Sequence, residues 1–352
     1  MFSSLPFGYM FLSVMGVGTV LSVSSMHWLM MWAGLEINLI GFLPLLVYQK
    51  SVSESQSAVK YFIIQALGSS FLIFGSLMSF SSSFSWDTFV VGDFNYSAIG
   101  FLVLTCGLLI KLGVFPFHYW LPSVMAGLPW ISCLLLATWQ KFAPLFLLLS
   151  LTEMNQFYVL SVFICLVSVG SSLIGGVGGM NQTQTRALLA YSSIGHLGWM
   201  SFALMHSEWT MKMYLSVYVL VSISLFTSLW YNDFGNMKNI YNLKNYSFMY
   251  LSVMFILLSL GGLPPLLGFV SKWLVVLVSS NSVWTPMIFG LILGSLLSLF
   301  YYLSLFFSMF LSSLKKSGFK NAFVSNKLVS IINIVNLVGG GLLLLVNTMS
   351  SV

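Results

Sequence analysis

The sequence predicts an all-α polytopic membrane protein, and three observations carry that prediction. First, 58% of the 352 residues are hydrophobic and only 6% are charged, against about 25% charged in an ordinary soluble domain. So few charges cannot cover a water-facing surface, so most of the surface must meet lipid. Second, cutting the chain at its polar clusters leaves eleven apolar runs, most of them near the ~20 residues that cross a hydrocarbon core. Third, the basic residues between runs fall on alternate loops, the pattern that sets orientation in a bilayer. Runs this long do not suit the short alternating strands of a barrel, and in lipid a helix satisfies its own backbone.

The runs lie near 3–24, 26–48, 56–81, 98–124, 127–149, 156–176, 184–205, 210–232, 246–279, 284–311 and 327–349. The first lacks the basic n-region of a cleaved signal, so it reads as a retained helix. The fourth and ninth are too long for one span and visibly interrupted, by Pro116 and Pro122 in one and by Gly261, Gly262, Pro264 and Pro265 in the other. Proline removes a backbone donor and clashes with the preceding turn. Irregular backbone at membrane depth is tolerated only against protein or a water cavity. The two breaks are five helices apart, and an odd offset inverts topology, as in paired inverted repeats of five helices. The chain therefore reads as a single membrane domain, with a first repeat over about 1–150, a second over 151–311, and a loop and final helix over 312–352.

Loop charges give the orientation. On the N-terminal side lie Lys50, Arg186, Lys238, Lys244, Lys315, Lys316, Lys320 and Lys327. The opposite side carries Asp87, Asp93, Glu153 and Glu208, with only Lys212 at its edge. The N-terminal side is thus the electrically negative compartment, a cytoplasm or a mitochondrial matrix. The net charge of +6 serves this topology and does not point to nucleic acid.

A few charges remain inside the runs: Glu36, Lys60, Lys111, Lys141 and Lys272. At about 1.5 Å per residue, Glu36, Lys111 and Lys141 lie roughly 15–20 Å from their helix starts, near mid-membrane. Lys272 lies nearer the side opposite the N-terminus, whereas Lys60 can snorkel to the N-terminal interface. A central charge costs at least about 2.5–3.5 kcal/mol on insertion scales. One reading is a buried ion pair of Glu36 with a lysine that only fixes helix register. One acid cannot pair with three lysines, however, and the sharper reading is a row of titratable groups linked by water. Burial favours a neutral amine and a neighbouring carboxylate favours the ammonium, so hydrating such a site or moving its carboxylate loads or releases a proton. His118, inside the first break, and His196, in LLAYSSIGHLGWM, can relay protons or simply pack.

Other chemistry finds no residues to carry it. Cys106, Cys133 and Cys165 have no metal spacing, which argues against zinc, iron–sulfur and a disulfide frame. GGVGGMNQ at 175–182 follows no strand and precedes no P-loop lysine, so it reads as tight packing or a loop. Calcium spacing and a nucleophile elbow are absent, and neither a redox centre nor a nucleotide site is expected.

The stretches around the intramembrane charges form a recognisable set. WAGLEINLIGFLP, KYFIIQA, KLGVFPFHYWLP, TWQKFAP, QTQTRALLAYSSIGHLGWM and GGLPPLLGFVSKW extend in order from residue 32 to 273. By these the chain resembles the antiporter-like, proton-pumping membrane subunits of mitochondrial NADH:ubiquinone oxidoreductase (respiratory complex I), its subunit 2 family above all. Beyond residue 280 only the hydropathy matches, and eleven helices rather than fourteen is similar to the animal mitochondrial version. The resemblance implies that Glu36 and Lys111 form the charge pair of one half-channel, that Lys141 is the connecting lysine and that Lys272 faces the exit side. Lys60, His118 and His196 are secondary. It further implies a multi-pass protein of the mitochondrial inner membrane, with its N-terminus in the matrix. The partners would be neighbouring antiporter-like and small hydrophobic subunits, accessory subunits and lipid. This chain would hold no cofactor and no metal; NADH, FMN, iron–sulfur clusters and ubiquinone would belong to other subunits. Two rival readings remain. One is a stand-alone cation/proton antiporter, which copurification with flavin and iron–sulfur subunits would exclude. The other is a structural membrane subunit, which pumping that survives lysine substitution would favour.

The topology is testable directly. The N-terminus and the loop from Lys315 to Lys327 should face the same compartment in oriented membranes, as read by protease accessibility. Exposure on opposite faces would mean the helix count is wrong by one.

Overall fold

In the computed structural model the described residues are 7–47, 51–80, 94–154, 158–232, 247–264, 266–280 and 282–314, with 334, 336, 338, 340 and 341. The chain divides into two units, Met1–Ile164 and Cys165–Val352. The first holds α1 (Gly8–Ser24), α2 (Trp28–Leu46), α3 (Val52–Phe80), α4 (Phe94–Leu112), α5 (Trp120–Gly127), α6 (Trp130–Ala137) and α7 (Trp139–Met154). Helix α8 (Tyr158–Met180) runs from the end of the first unit into the second. The second continues with α9 (Thr185–Leu204), α10 (Glu208–Asn232), α11 (Ser247–Gly261), α12 (Leu267–Ser279) and α13 (Thr285–Leu314). The structure among the described residues is all-helical, as expected.

Six of these segments are long and apolar enough to cross a membrane: Trp28–Leu46, Val52–Ser79, Trp130–Glu153, Tyr158–Met180, Glu208–Trp230 and Thr285–Phe310. Helices at Gly8–Ser24, Ile99–Leu112, Ser252–Gly261 and Leu267–Ser279 are apolar but shorter. Both expected interruptions are present, between α4 and α5 and between α11 and α12. A third was not expected: the run 127–149 is two helices, separated at Thr138. There Thr138 Oγ1 donates to the Leu134 carbonyl at 2.7 Å and the Thr138 backbone sits at φ −113°, ψ −72°. The same back-bond joins Thr227 to Ile223 at 2.7 Å within the uninterrupted α10, so the hydroxyl accompanies the break without accounting for it. The expected loop lysines Lys50, Lys238, Lys244, Lys315, Lys316, Lys320 and Lys327, with Asp87, Asp93, Pro265 and most of the run 327–349, lie outside the described residues. Ile334, Asn336, Val338, Gly340 and Gly341, within that run, are helical.

Lipid tails are as apolar as leucine, so helices in a bilayer associate through close packing at small residues. In the first unit α1 meets α2 and α3 meets α4 in this way. A Cβ on Gly18 would stand 2.5 Å from the Asn38 nitrogen, and one on Gly34 would stand 2.6 Å from the Ser22 nitrogen. In the second unit, a Cβ on Gly175 of α8 would stand 2.6 Å from the Gly195 nitrogen of α9. The glycine-rich stretch at 175–182 is therefore a packing surface over most of its length.

The many serines do not disturb these helices, because their hydroxyls turn inward. Ser13, Ser22, Ser76, Ser168, Ser224 and Ser308 each donate to the carbonyl three residues earlier at 2.6–2.8 Å. The hydroxyl is satisfied within its own turn, which meets the requirement that lipid places on every polar group.

The α1–α2 contact gives a stability prediction. Gly34→Leu should force the two backbones apart and destabilise the fold by about 1–3 kcal/mol, the usual range for overpacking. A lower midpoint of thermal inactivation in mild detergent would show it. An unchanged midpoint would mean that the two helices do not depend on this contact.

Candidate functional site

The site of the first unit is built on the way α4 ends. Gly113 takes the left-handed conformation at φ +72°, which glycine adopts without a Cβ penalty. Its N–H donates to the Ile110 carbonyl at 3.2 Å, and the Val114 N–H reaches back to Leu109 at 3.2 Å. These two bonds form a Schellman ending. The Ile110 carbonyl accepts a second donor, Trp120 Nε1 at 3.2 Å, and the next carbonyl, of Lys111, accepts from Gln65 Nε2 at 3.4 Å. The interruption predicted from proline is thus a satisfied helix terminus, with Pro116 after it completing the stop.

Lys111 stands in the last turn of that helix, where the negative end of the helix dipole favours a cation. Its stem runs past α3, where Gly68 has only hydrogen: a Cβ there would lie 3.0 Å from Lys111 Cγ. The ammonium meets Glu36 Oε1 of α2 at 3.2 Å, with the lysine side chain 3% exposed and the glutamate 25%. Removing one partner of a buried pair is far costlier than the pair is worth, on the order of 3–5 kcal/mol. A cavity of about 20 Å³ opens beside the pair, lined by Lys111, Lys141, Asn38, Gln65, Tyr61 and Gln140 among others. That is enough for an ordered water with several polar partners.

Lys141 reaches this cavity from α7 and is 3% exposed. Two features position it. The break at Thr138 starts α7 just before it, and the reciprocal amide pair of Asn38 and Gln140, at 2.9 and 3.2 Å, ties α7 to α2. Pro144 lies inside α7 and cannot donate to the Gln140 carbonyl one turn earlier. Sequence reading placed Glu36, Lys111 and Lys141 at similar depth, and the fold brings all three to one place.

The second unit repeats the construction with different side chains. Gly262 is left-handed at φ +81°, its N–H donates to Ser259 at 3.0 Å and the Leu263 N–H to Leu258 at 3.3 Å. Here Lys272 supplies the capping donor: its Nζ donates to the Gly261 carbonyl at 3.0 Å, at the C-terminal end of α11. A Cβ on Gly262 would lie 2.9 Å from that nitrogen, as one on Gly113 would lie 3.0 Å from the Trp120 ring. Lys272 lines a cavity of about 10 Å³ together with His196, Tyr301, Tyr302 and several serines. His196 is 8% exposed and its Nδ1 is 2.9 Å from the Tyr214 hydroxyl.

The secondary candidates fall apart from one another. Lys60 is exposed on α3. His118 is 4% exposed in the first break, with Nδ1 3.2 Å from the Pro116 carbonyl and its ring against Tyr119 at 4.1 Å; it is not among the residues lining the Lys111 cavity. Sequence reading missed Asn38, Gln65 and Gln140, although an amide inside an apolar run is itself a signal. It also missed Tyr61, Tyr301 and Tyr302, for which the sequence offers no signal, because tyrosine in a membrane protein is as often an interfacial anchor.

Comparison with known proteins gives the family of the chain. The family described as NADH:quinone oxidoreductase/Mrp antiporter, transmembrane, matches residues 25–300. The NADH-ubiquinone oxidoreductase chain 2 of Anopheles gambiae is 39% identical over 347 residues, covering 95% of this chain and 96% of that one. The protein of the same name from Lumbricus terrestris is 38% identical over 301 residues, covering 84% and 85%. Among solved structures, a chain of respiratory complex I from Thermus thermophilus superposes with a TM-score of 0.84 at 26% identity, covering 95% of this chain and 78% of that one. A chain of the Mrp complex from Dietzia shares the fold, with a TM-score of 0.75 at 15% identity over 84% and 59%. On these grounds the chain belongs to the NADH:quinone oxidoreductase/Mrp antiporter transmembrane family and, within it, to the NADH-ubiquinone oxidoreductase chain 2 group.

Proposed function

We propose that this chain is a core membrane-arm subunit of a proton-translocating NADH:ubiquinone oxidoreductase, and that it carries protons through its buried lysines and Glu36. The observation that carries the reading is the Glu36–Lys111 pair, at 3.2 Å, set at a broken helix end beside a cavity that also takes in Lys141. In low dielectric the carboxylate compensates the ammonium. When Glu36 swings away or water enters, that compensation weakens and the proton can leave Lys111 for Lys141 through the cavity. In the second unit Lys272 holds a proton against the C-terminal carbonyl of α11 and releases it on the exit side.

The same reading covers the finer architecture. Two helices that end on left-handed glycines, Gly113 and Gly262, with prolines following, support two inverted five-helix repeats, over about 1–150 and 151–311, within a membrane domain of eleven spans completed by 312–352. The chain would sit in the mitochondrial inner membrane with its N-terminus in the matrix. It would pack against antiporter-like, small hydrophobic and accessory subunits and lipid. The redox cofactors would be carried by those other subunits that perform electron transfer.

Two substitutions test the pair. Glu36→Gln keeps size and hydrogen bonding but removes the charge; coupled NADH oxidation should fall by about a hundredfold, the low end of the range for a lost positioned proton-transfer group, while the complex still assembles on a native gel. Loss of the complex instead would make Glu36 a structural residue. Lys111→Arg keeps the positive charge, but guanidinium effectively never releases its proton. Pumping by reconstituted vesicles should therefore be as impaired as in Lys111→Met. Near-normal pumping in the arginine variant would sink the carrier role of this lysine.

A further inference from the structure

The second unit contains a pair of groups that neither helix packing nor the Lys272 contact uses. Tyr301 and Tyr302 of α13 are 2% and 1% exposed, yet neither hydroxyl makes a well-formed hydrogen bond; each has only the other tyrosine and one serine beside it. Both line the cavity of about 10 Å³ that holds Lys272 and His196. Tyr302 also touches the break directly: a Cβ on Gly261 would stand 3.6 Å from the edge of its ring, and the Gly261 carbonyl is the one that accepts Lys272 Nζ. The serines beside these hydroxyls have no proton to give them: Ser192, next to Tyr302, donates to Leu189 O at 2.8 Å, and Ser298, next to Tyr301, donates to Ser295 O at 2.7 Å, so each can only accept from the phenol.

A buried hydroxyl left unpaired costs on the order of 1–3 kcal/mol, and phenylalanine would fill the same space without that cost. Packing therefore explains the rings and leaves the hydroxyls unexplained. What they share is a small cavity whose other walls include the Lys272 ammonium, the His196 imidazole, several serines and Trp199. The cavity is near the lower limit for one water, which would find several polar partners there.

We propose that Tyr302, with Tyr301 beside it, is a proton-relay residue between Lys272 and His196; this rests on the reading that Lys272 carries a proton. In the transfer one N–H bond of Lys272 breaks as an O–H bond forms on water. Tyr302 accepts a proton from that water on its oxygen while giving up its own toward His196, and so ends neutral. No electron moves, and the reverse transfers restore the starting state. His196 in turn lies 2.9 Å from the Tyr214 hydroxyl, which extends the path across α9 to α10.

The test compares Tyr302→Phe, Tyr301→Phe and Lys272→Met in the intact complex, reading assembly on native gels and protons pumped per NADH in sealed vesicles. Tyr302→Phe keeps the ring against Gly261 and removes only the hydroxyl, so a hydroxyl with no role predicts unchanged or better stability with unchanged pumping. The relay predicts normal assembly with coupled turnover about a hundredfold lower or more, the scale of a lost positioned proton donor, and a smaller loss in Tyr301→Phe. Loss of pumping in Lys272→Met with normal pumping in Tyr302→Phe would overturn the relay while leaving the lysine reading intact. Normal pumping in Lys272→Met would overturn the lysine reading and the relay with it. Loss of the assembled complex in Tyr302→Phe would show the hydroxyl to be structural and would also overturn the proposal.

Discussion

A backbone carbonyl without a donor cannot be left in hydrocarbon, and this constraint organises both halves of the chain. Each unit contains a helix that stops inside the apolar run, and each stop exposes carbonyls that would face lipid if nothing intervened. A left-handed glycine recovers two of the missing bonds in each case, at Gly113 and at Gly262. The remainder must come from side chains, and so polar groups are drawn to these two places. In the first unit the indole of Trp120 and the amide of Gln65 serve as donors. In the second the donor is the ammonium of Lys272.

The difference in donor has a chemical consequence. Where neutral side chains complete the helix end, the nearby lysine is left available for Glu36, and the positive charge meets a negative one. Where the lysine itself completes the end, its charge meets a carbonyl dipole. One construction holds an ammonium against a side-chain carboxylate, the other against a backbone carbonyl. The same local backbone solution thus yields two different charge environments, which suits steps that need different release conditions.

Much of this was legible beforehand. The charges Glu36, Lys111, Lys141 and Lys272 stood out because each is expensive in lipid and each lies well inside its run. The two glycine–proline interruptions stood out for the same reason. Three things were not legible. The break at Thr138 carries no proline or glycine, and the threonine that marks it makes the same bond to its own helix as Thr227 does in an unbroken one. The clasp of Asn38 with Gln140 joins residues more than a hundred apart and depends on how α2 and α7 pack. His118 and Lys60 had the right chemistry in the sequence, but the fold gives one a carbonyl in its own loop and leaves the other exposed.

The serines that bond back to their own helices also bear on how such a chain changes over time. With its hydroxyl folded onto the preceding turn, serine presents to a neighbouring helix little more than the bulk of alanine. Exchanges between the two at packed faces alter neither the spacing of the backbones nor the polarity offered to lipid. Sequence can drift along those faces at little cost to the packing, and a superposition at 0.84 with 26% identity is the divergence such a design permits.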